Sequence, residues 1–433
     1  MSDVIDRFLE YVRIDTQSDE ETGTSPSTAK QHDLAKLLYE QLCAMGIERV
    51  VYDKEHCYVY AFLPENDGVD GGSADLEKDA GSRNEGGEKE SSVKKRKKLG
   101  FIAHMDTAME VTGADVKPRI VPYEGGDIVL NEEKNIIFSQ QEFPELAQYI
   151  GKDLIVTDGT TLLGADDKAG VAEIMAMTAF FVKHPEVPHG ELRIAFTPDE
   201  EIGSGTDHFD LKLFDADCAY TVDGGALGEL EYENFNAASA EVEICGRSVH
   251  PGDAKDKMIN ASLVAMEYHA LLPETETPAH TEGYEGFYHL TDMSGEIERA
   301  NLSYLIRDHD RERFEQRKER MRKAAEEINT RYGQELVRMK IEDSYYNMCE
   351  KIKPHLELIE YARGAMDELG IPAKTVPIRG GTDGARLSYM GLPCPNLCTG
   401  GRNCHSRFEY ACVQDMELMV NVLIGIAKRF LCE

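Results

Sequence analysis

Two adjacent aspartates, Asp166 and Asp167, stand between a glycine turn at Gly164 and a largely apolar run from Val171 to Met177. The run predicts a helix, which puts both carboxylates at its N-terminus, where unpaired N–H groups and the helix dipole favour negative charge. Taken alone, such a pair is an acidic helix cap. The rest of the chain supplies more: His104 and Asp106 before it, then Asp199-Glu200-Glu201, Asp223-Gly224-Gly225 and His405 after it. Short apolar segments at 99–103, 192–197 and 219–222 predict buried strands, and His104, Asp199 and Asp223 fall where those strands run out. Polar groups that recur at strand ends constrain the chain to an α/β fold whose ligand crevice lies at the carboxyl ends of the strands. Two histidines and several carboxylates placed in this way can close a two-metal hydrolytic site with one aspartate shared between the ions, and Asp166 is the candidate for the shared ligand.

The remaining periodicity fills in the architecture. Helical spacing predicts helices over 4–12, 28–45, 167–183, 258–271, 308–332, 355–369 and 413–430, and further strands read at 50–52, 58–63 and 153–157. From about residue 236 the pattern changes: 240–244 alternates with period two, and strands at 300–306 and 335–341 flank the long charged helix. A β-α-β-β-α-β order there predicts a small α+β, ferredoxin-like domain inserted into the first. The expected division is a catalytic domain over 1–235 and 347–433, with a lid or dimerisation domain over 236–346. Residues 66–98 interrupt the catalytic part. They are rich in Gly, Ser, Asp and Glu, bury too little apolar surface to offset their ordering entropy, and are expected to be disordered. The stretch ends in the basic run 94–98, which is either an address or anion patch, or a solvated loop end balancing the acidic residues before it; the second reading is the expectation.

Composition narrows the class. With 80 acidic and 47 basic side chains, the formal charge is −33. A nucleic-acid partner needs a basic footprint that this chain lacks. Ten cysteines without a CxxC pair suggest reduced thiols. The N-terminus shows no signal peptide, and no apolar run reaches the roughly 18 residues of a membrane span. The expectation is a cytoplasmic protein without a membrane partner.

The chemistry-bearing residues each admit a plain reading as well. In His104-x-Asp106, alternate residues share a strand face, so the carboxylate can hold the imidazole in the tautomer a metal needs. Glu200-Glu201 is a like-charge pair, costly to bury without a cation, in which one carboxylate can ligate while the other takes a proton; the plain reading is an acidic turn before Gly203. Cys398 and Cys404 near His405 leave a thiolate-zinc site open. Nitrogen and oxygen donors suit Zn²⁺, Co²⁺ or Mn²⁺.

These residues occur in longer runs: Thr161 through Ile174, Ala195-Phe196-Thr197-Pro198-Asp199-Glu200-Glu201, Tyr220 through Gly225, Thr281 through Leu290 and Ile341 through Met348. On them the chain resembles the peptidase T group of the M20 di-zinc peptidases, over nearly its whole length apart from the acidic insertion. The resemblance implies a zinc-dependent tripeptide aminopeptidase that releases the N-terminal residue by attack of a metal-bridging water, with small peptides as substrate and a homodimer through the lid domain. It implies one zinc held by His104, Asp166 and Asp223, and a second by Asp166, Glu201 and His405. Glu200 is then the general base and Asp106 the carboxylate behind His104. A cis peptide is implied between Asp166 and Asp167. His250, within Ser248-Val249-His250-Pro251-Gly252, is implied in binding substrate or a developing oxyanion, and Arg307 and Arg379 in binding the peptide's carboxylate end. The chain departs from the family pattern after His405, where Ser406-Arg407-Phe408-Glu409 replaces the usual Gly-Lys-His-Glu, and at Arg402 and Cys404, positions that are commonly aromatic. Another M20 chemistry, or a scaffold with a retired site, are the competing readings.

Overall fold

The computed structural model describes residues 2–68 and 96–431. The expected disordered stretch therefore lies, over 69–95, outside the described residues. Its two flanks are held. Asn66 exchanges backbone hydrogen bonds of 2.9 Å each way with His189. Arg96 pairs with Glu65 at 3.1 Å and Asp67 at 2.7 Å, Lys97 with Glu357 at 3.8 Å, and Lys98 with Asp215. The described part of the basic run is thus neutralised by nearby acids.

Two compact units make up the chain: Met1–Leu230, His355–Lys374 and Met390–Glu433 form one, and Glu231–Pro354 with Thr375–Tyr389 the other. The first is built on an eight-stranded sheet. It runs from Arg49–Asp53 through Tyr58–Leu63, Leu192–Thr197, Leu99–His104, Cys218–Val222 and Asn396–Leu397 to two short strands. The first two strands are antiparallel to their neighbours, while Leu192–Thr197, Leu99–His104, Cys218–Val222 and Asn396–Leu397 run parallel. Each of these parallel strands is buried along its whole length, as near-continuous apolar runs require. Their carboxyl ends deliver His104, Asp199 and Asp223 to one edge.

Helix Ala165–Lys183 packs on this sheet and is apolar nearly all round, as expected of a helix buried on most sides. It touches the sheet at Gly170, where a Cβ would sit 1.8 Å from the Val222 carbonyl oxygen. No residue larger than glycine fits there. Asp166 and Asp167 have non-helical backbone angles, and the bond between them is cis.

The sequence reading did not anticipate a second, smaller sheet in this unit. Gly401–Arg402, Tyr410–Cys412, Lys152–Val156 and Arg119–Tyr123 pair antiparallel, beside a hairpin of Ile128–Asn131 and Ile136–Phe138. Phe138, Tyr149 and Tyr410 are buried in its core, with Phe143 and Phe408 packed against them. This sheet brackets the loop that carries His405.

The second unit has the order Asn236–Cys245, Ala261–His269, Phe287–Gly295, Arg299–Asp308, Arg311–Tyr332 and Val337–Tyr345. Its antiparallel sheet runs Phe287–Gly295, Arg299–Asp308, Asn236–Cys245, Val337–Tyr345, which is the ferredoxin-like arrangement. Ala238, Ala240, Val242 and Ile244 alternate into the core with Leu302, Tyr304 and Ile306, beneath Phe314, Met321 and Ile328 of the long helix. Strand Phe287–Gly295 escaped the sequence reading because most of it is exposed and carries no period-two pattern.

Candidate metal centre

The centre is built around Asp166. Its Oδ1 lies 3.0 Å from His104 Nε2, and its Oδ2 lies 3.5 Å from His405 Nε2. One carboxylate therefore presents an oxygen to each histidine. Asp223 Oδ1 stands 3.6 Å from His104 Nε2, and Glu201 Oε2 stands 2.9 Å from His405 Nε2. Two groups result, His104 with Asp166 and Asp223, and Asp166 with Glu201 and His405, each with its donor atoms within 4.8 Å of one another. These are the two sets that the sequence reading implied, and they share Asp166. Neither set contains a cysteine. Cys398 instead accepts the Gly228 N–H and touches the Met419 sulfur at 3.5 Å, and the Cys404 thiol lies against Asp166.

The donor set fits divalent cations. Burial raises the Glu201 carboxyl to about 7 against the pull of His405. Burial and then the neighbouring Asp166 raise Asp223. Hydrogen bonds that His405 donates to Asp166 and Glu201 lift its pKa to about 11. Burial opposes ionisation of Asp166, but His104 and His405 outweigh it and hold the group ionised. Glu201 Oε1 is buried without a hydrogen-bond partner. Three half-buried carboxylates this close need positive charge between them, and a pair of metal ions would supply it where the imidazoles otherwise must.

A layer of hydrogen bonds fixes the ligands. Asp106 is fully buried. Its Oδ1 is 3.3 Å from His104 Nδ1, which leaves Nε2 facing the cluster. The same carboxylate accepts the backbone N–H of Glu200 at 3.0 Å and of Glu201 at 3.1 Å, and the Ser18 hydroxyl donates to it as well. Asp106 thus fixes the backbone of Glu200 and Glu201 along with the His104 ring. Asp199, just before Glu200, has φ of +56°, a left-handed backbone that its own bonds hold. It accepts the Ser27 N–H and hydroxyl and the Gln31 side-chain amide. Asp167 is no ligand: it accepts the His104 N–H at 3.2 Å and the Gly170 N–H at 3.2 Å, joining strand end to helix start.

Glu409 is the residue that sequence reasoning missed. Fully buried, it accepts the N–H groups of Leu163 at 2.8 Å, Gly164 at 2.7 Å and Asp166 at 3.0 Å. Burial, resisted by those amides, pushes its carboxyl up to about 7. It lies four residues after His405, so it ties the loop of one ligand to the backbone of the shared one. The available signal was its place in Ser406-Arg407-Phe408-Glu409, where it keeps the glutamate of the usual Gly-Lys-His-Glu.

The other three expected site residues belong to the second unit. His250 is exposed, and its Nδ1 accepts the Gly252 N–H at 3.2 Å. A neutral His250 therefore carries its proton on Nε2. Arg307 bonds the carbonyl of Ile306 and lies over the Tyr345 ring at 5.3 Å. Arg379 donates to backbone oxygens of Thr281, Gly283 and Glu285.

Comparison with known proteins shows the family. The peptidase dimerisation domain family matches residues 232–334. A protein named peptidase T from Alkaliphilus oremlandii is 50% identical over 99% of this chain and 100% of its own length. The peptidase T of Bacillus subtilis is 51% identical over 99% and 98%. Among solved structures, an aminopeptidase PepT from Bacillus cereus superposes with a TM-score of 0.73 at 20% identity, covering 99% of this chain and 98% of that one. A dinuclear metal-binding peptidase of the M20 family from Bacillus subtilis gives 0.62 at 13%, covering 98% and 97%. The structural likenesses extend the shared fold to the whole chain, and the sequence relatives carry the kinship.

Proposed function

The chain belongs to the peptidase T family of M20 metallopeptidases, and from that premise we propose that it is a tripeptide aminopeptidase working through two metal ions. The relatives' name and the tripeptidase from Staphylococcus aureus, which superposes with a TM-score of 0.73 over 100% of this chain, support the substrate class. The observation that carries the mechanism is the Asp166 carboxylate, with one oxygen toward each of two histidines.

His104, Asp166 and Asp223 hold one ion in this reading, and Asp166, Glu201 and His405 the other. Two divalent cations bound there supply an acidified water and polarisation of the scissile carbonyl. Zinc suits the nitrogen and carboxylate donors, with Co²⁺ or Mn²⁺ as alternatives. Glu200 is assigned as the general base: Asp106 fixes its backbone, while its side chain is not needed as a ligand. It takes a proton from the attacking water and returns it to the departing amine, which becomes the free amino group of the remaining dipeptide. His250, whose proton sits on Nε2, can donate a hydrogen bond to a carbonyl oxygen that gains charge. Arg307 offers a guanidinium to the substrate's carboxylate. The family match to 232–334 supports a homodimer through that region. No helix among the described residues is long and apolar enough to cross a membrane, and the nine cysteines among them are all free thiols. Both fit the cytoplasmic location we assign.

The test is one metal analysis with one substrate panel. Wild-type protein should carry two ions and cleave free tripeptides ahead of dipeptides and N-acylated peptides. Glu200→Gln should keep both ions and lose about 10²- to 10⁴-fold in kcat. Preference for an N-acylated peptide would replace the aminopeptidase reading with another M20 chemistry.

A further inference from the structure

Arg379 is fully engaged inside its own unit. Nη1 donates to the carbonyl oxygens of Gly283 at 2.7 Å and Glu285 at 3.2 Å. Nη2 donates to the Thr281 carbonyl at 3.2 Å and the Thr281 hydroxyl oxygen at 3.1 Å. The guanidinium carbon lies 5.1 Å from the Phe235 ring centre and 5.6 Å from that of Phe287. Carbonyls of residues 281, 283 and 285 converge on one cation, in a stretch that has no strand partner. Backbone oxygens without a ladder need another donor, and the guanidinium fork meets that need. Both terminal nitrogens point at this loop, so no pair of parallel N–H groups remains for a carboxylate.

Arg307 is placed differently. Across the antiparallel pair it stands opposite Phe287, and on its other side opposite Ala237, whose next partner is Tyr345. Among the described residues, its side chain hydrogen-bonds to the carbonyl of the preceding residue and to no other group. No carboxylate among the described residues lies within ion-pair distance of it. Two residues beyond Arg379, Gly381 packs on the Tyr345 ring, where a Cβ would meet ring carbons at 2.8 and 2.9 Å. The Arg379–Gly381 segment thus grips both flanks of the row that holds Arg307: the loop leading into Phe287 on one side and Tyr345 on the other.

We propose that Arg379 is a positioning residue, a strap that holds residues 281–287 and thereby sets Phe287 beside Arg307, and that Arg307 alone reads the substrate's carboxylate. This rests on the tripeptide reading and revises the sequence expectation that both arginines grip the same group. The test compares a free tripeptide with its C-terminally amidated form on the metal-loaded wild type, Arg379→Ala, Arg379→Lys and Arg307→Ala, alongside amide hydrogen exchange of the same proteins.

Arg379→Ala should lower kcat/KM for both peptides by the same factor, leaving the ratio between them at the wild-type value. It should also speed exchange at residues 281–288 by about tenfold or more, because oxygens lose their donors. Arg379→Lys keeps the charge but not the fork, so it should leave the ratio alone and give intermediate exchange. Arg307→Ala should lower the ratio by at least about tenfold with exchange at 281–288 unchanged. A ratio that collapses in Arg379→Ala while exchange stays at the wild-type level overturns the strap. So does unchanged exchange in both Arg379 variants. If the enzyme ignores tripeptides altogether, the activity arm fails for every protein while exchange still reports on the strap, so the two failures are distinct.

Discussion

At the scale of single residues, the candidate centre is braced by carboxylates outside the two candidate ligand sets. Glu409 offers two oxygens to three N–H groups, including that of Asp166. Glu409→Gln turns one of those oxygens into an NH₂ group facing a backbone donor. A buried mismatch of this kind costs about 1–3 kcal/mol. The expected result is weaker metal binding, read by competition with a chromogenic chelator, with kcat largely restored at saturating metal. Unchanged affinity would make Glu409 a packing residue only. Glu173 provides a pH-dependent counterpart. It is fully buried on the helix after Asp166, neither oxygen has a hydrogen-bond partner, and burial raises its pKa well above the ordinary value. A carboxyl whose folded pKa is raised is protonated in the native state. Its contribution is complete below the unfolded carboxyl range and is lost as pH climbs toward the folded pKa. Glu173→Gln keeps the shape without the titration. Its stability relative to wild type should therefore rise with pH, by up to about 1.4 kcal/mol per pH unit above the unfolded range. Urea midpoints from pH 4 to 8 at fixed free metal check this, and parallel curves would show that Glu173 titrates alike in the folded and unfolded chain.

At the scale of elements, the helix from Ala165 to Lys183 is held against strand Cys218–Val222 by a missing side chain. Gly170→Ala would drive a methyl into the Val222 carbonyl. Overpacking of this sort costs about 1–3 kcal/mol or more. Because Asp166 begins that helix and Asp223 follows that strand, metal affinity should fall together with the thermal midpoint. Calorimetry with and without zinc measures both. The interrupted segment makes the opposite prediction. Gly68 and Arg96 belong to stretches that pair with each other through Asp67. Replacing 69–95 by a short Gly-Ser link should leave the thermal midpoint and tripeptide kcat/KM near wild type, since each doubling of loop length costs only about 0.6 kcal/mol. How far the sequence told the elements depends on burial. Leu192–Thr197 and Val413–Phe430 were legible to the residue, because their patterning is dictated by a core. Strand Phe287–Gly295 and the hairpin around Ile128–Phe138 were not, since exposed or short strands need no regular alternation. The residues that gather around Asp166 were legible through their motifs. The roles of Glu409 and of Arg379 were hidden because their partners are backbone groups, which every residue possesses and no motif names.

At the scale of the whole molecule, a surplus of acid and a half-buried acidic cluster would couple metal binding to the stability of the fold in the two-metal reading. A ligand that binds only the native state stabilises it by about 4.1 kcal/mol at 1,000 times its Kd. Removing the ions with a chelator should lower the thermal midpoint and restore it on zinc addition. His405→Ala should respond less than Glu200→Gln, which keeps every proposed ligand. A midpoint indifferent to metal in the wild type would contradict the site. The order of the chain adds a clock. Glu201 and Asp223 come before the inserted unit at Glu231–Pro354, whereas His405 and Glu409 come after it. A ribosome adding about 5–20 residues per second needs on the order of 10–40 s to travel from one side of the centre to the other. Throughout that interval the growing polypeptide holds the acids without the second histidine or the clasp that squares Asp166 to it. In the two-metal reading the enzyme is thus born inert, and peptide cleavage waits until residues 405–409 have left the tunnel.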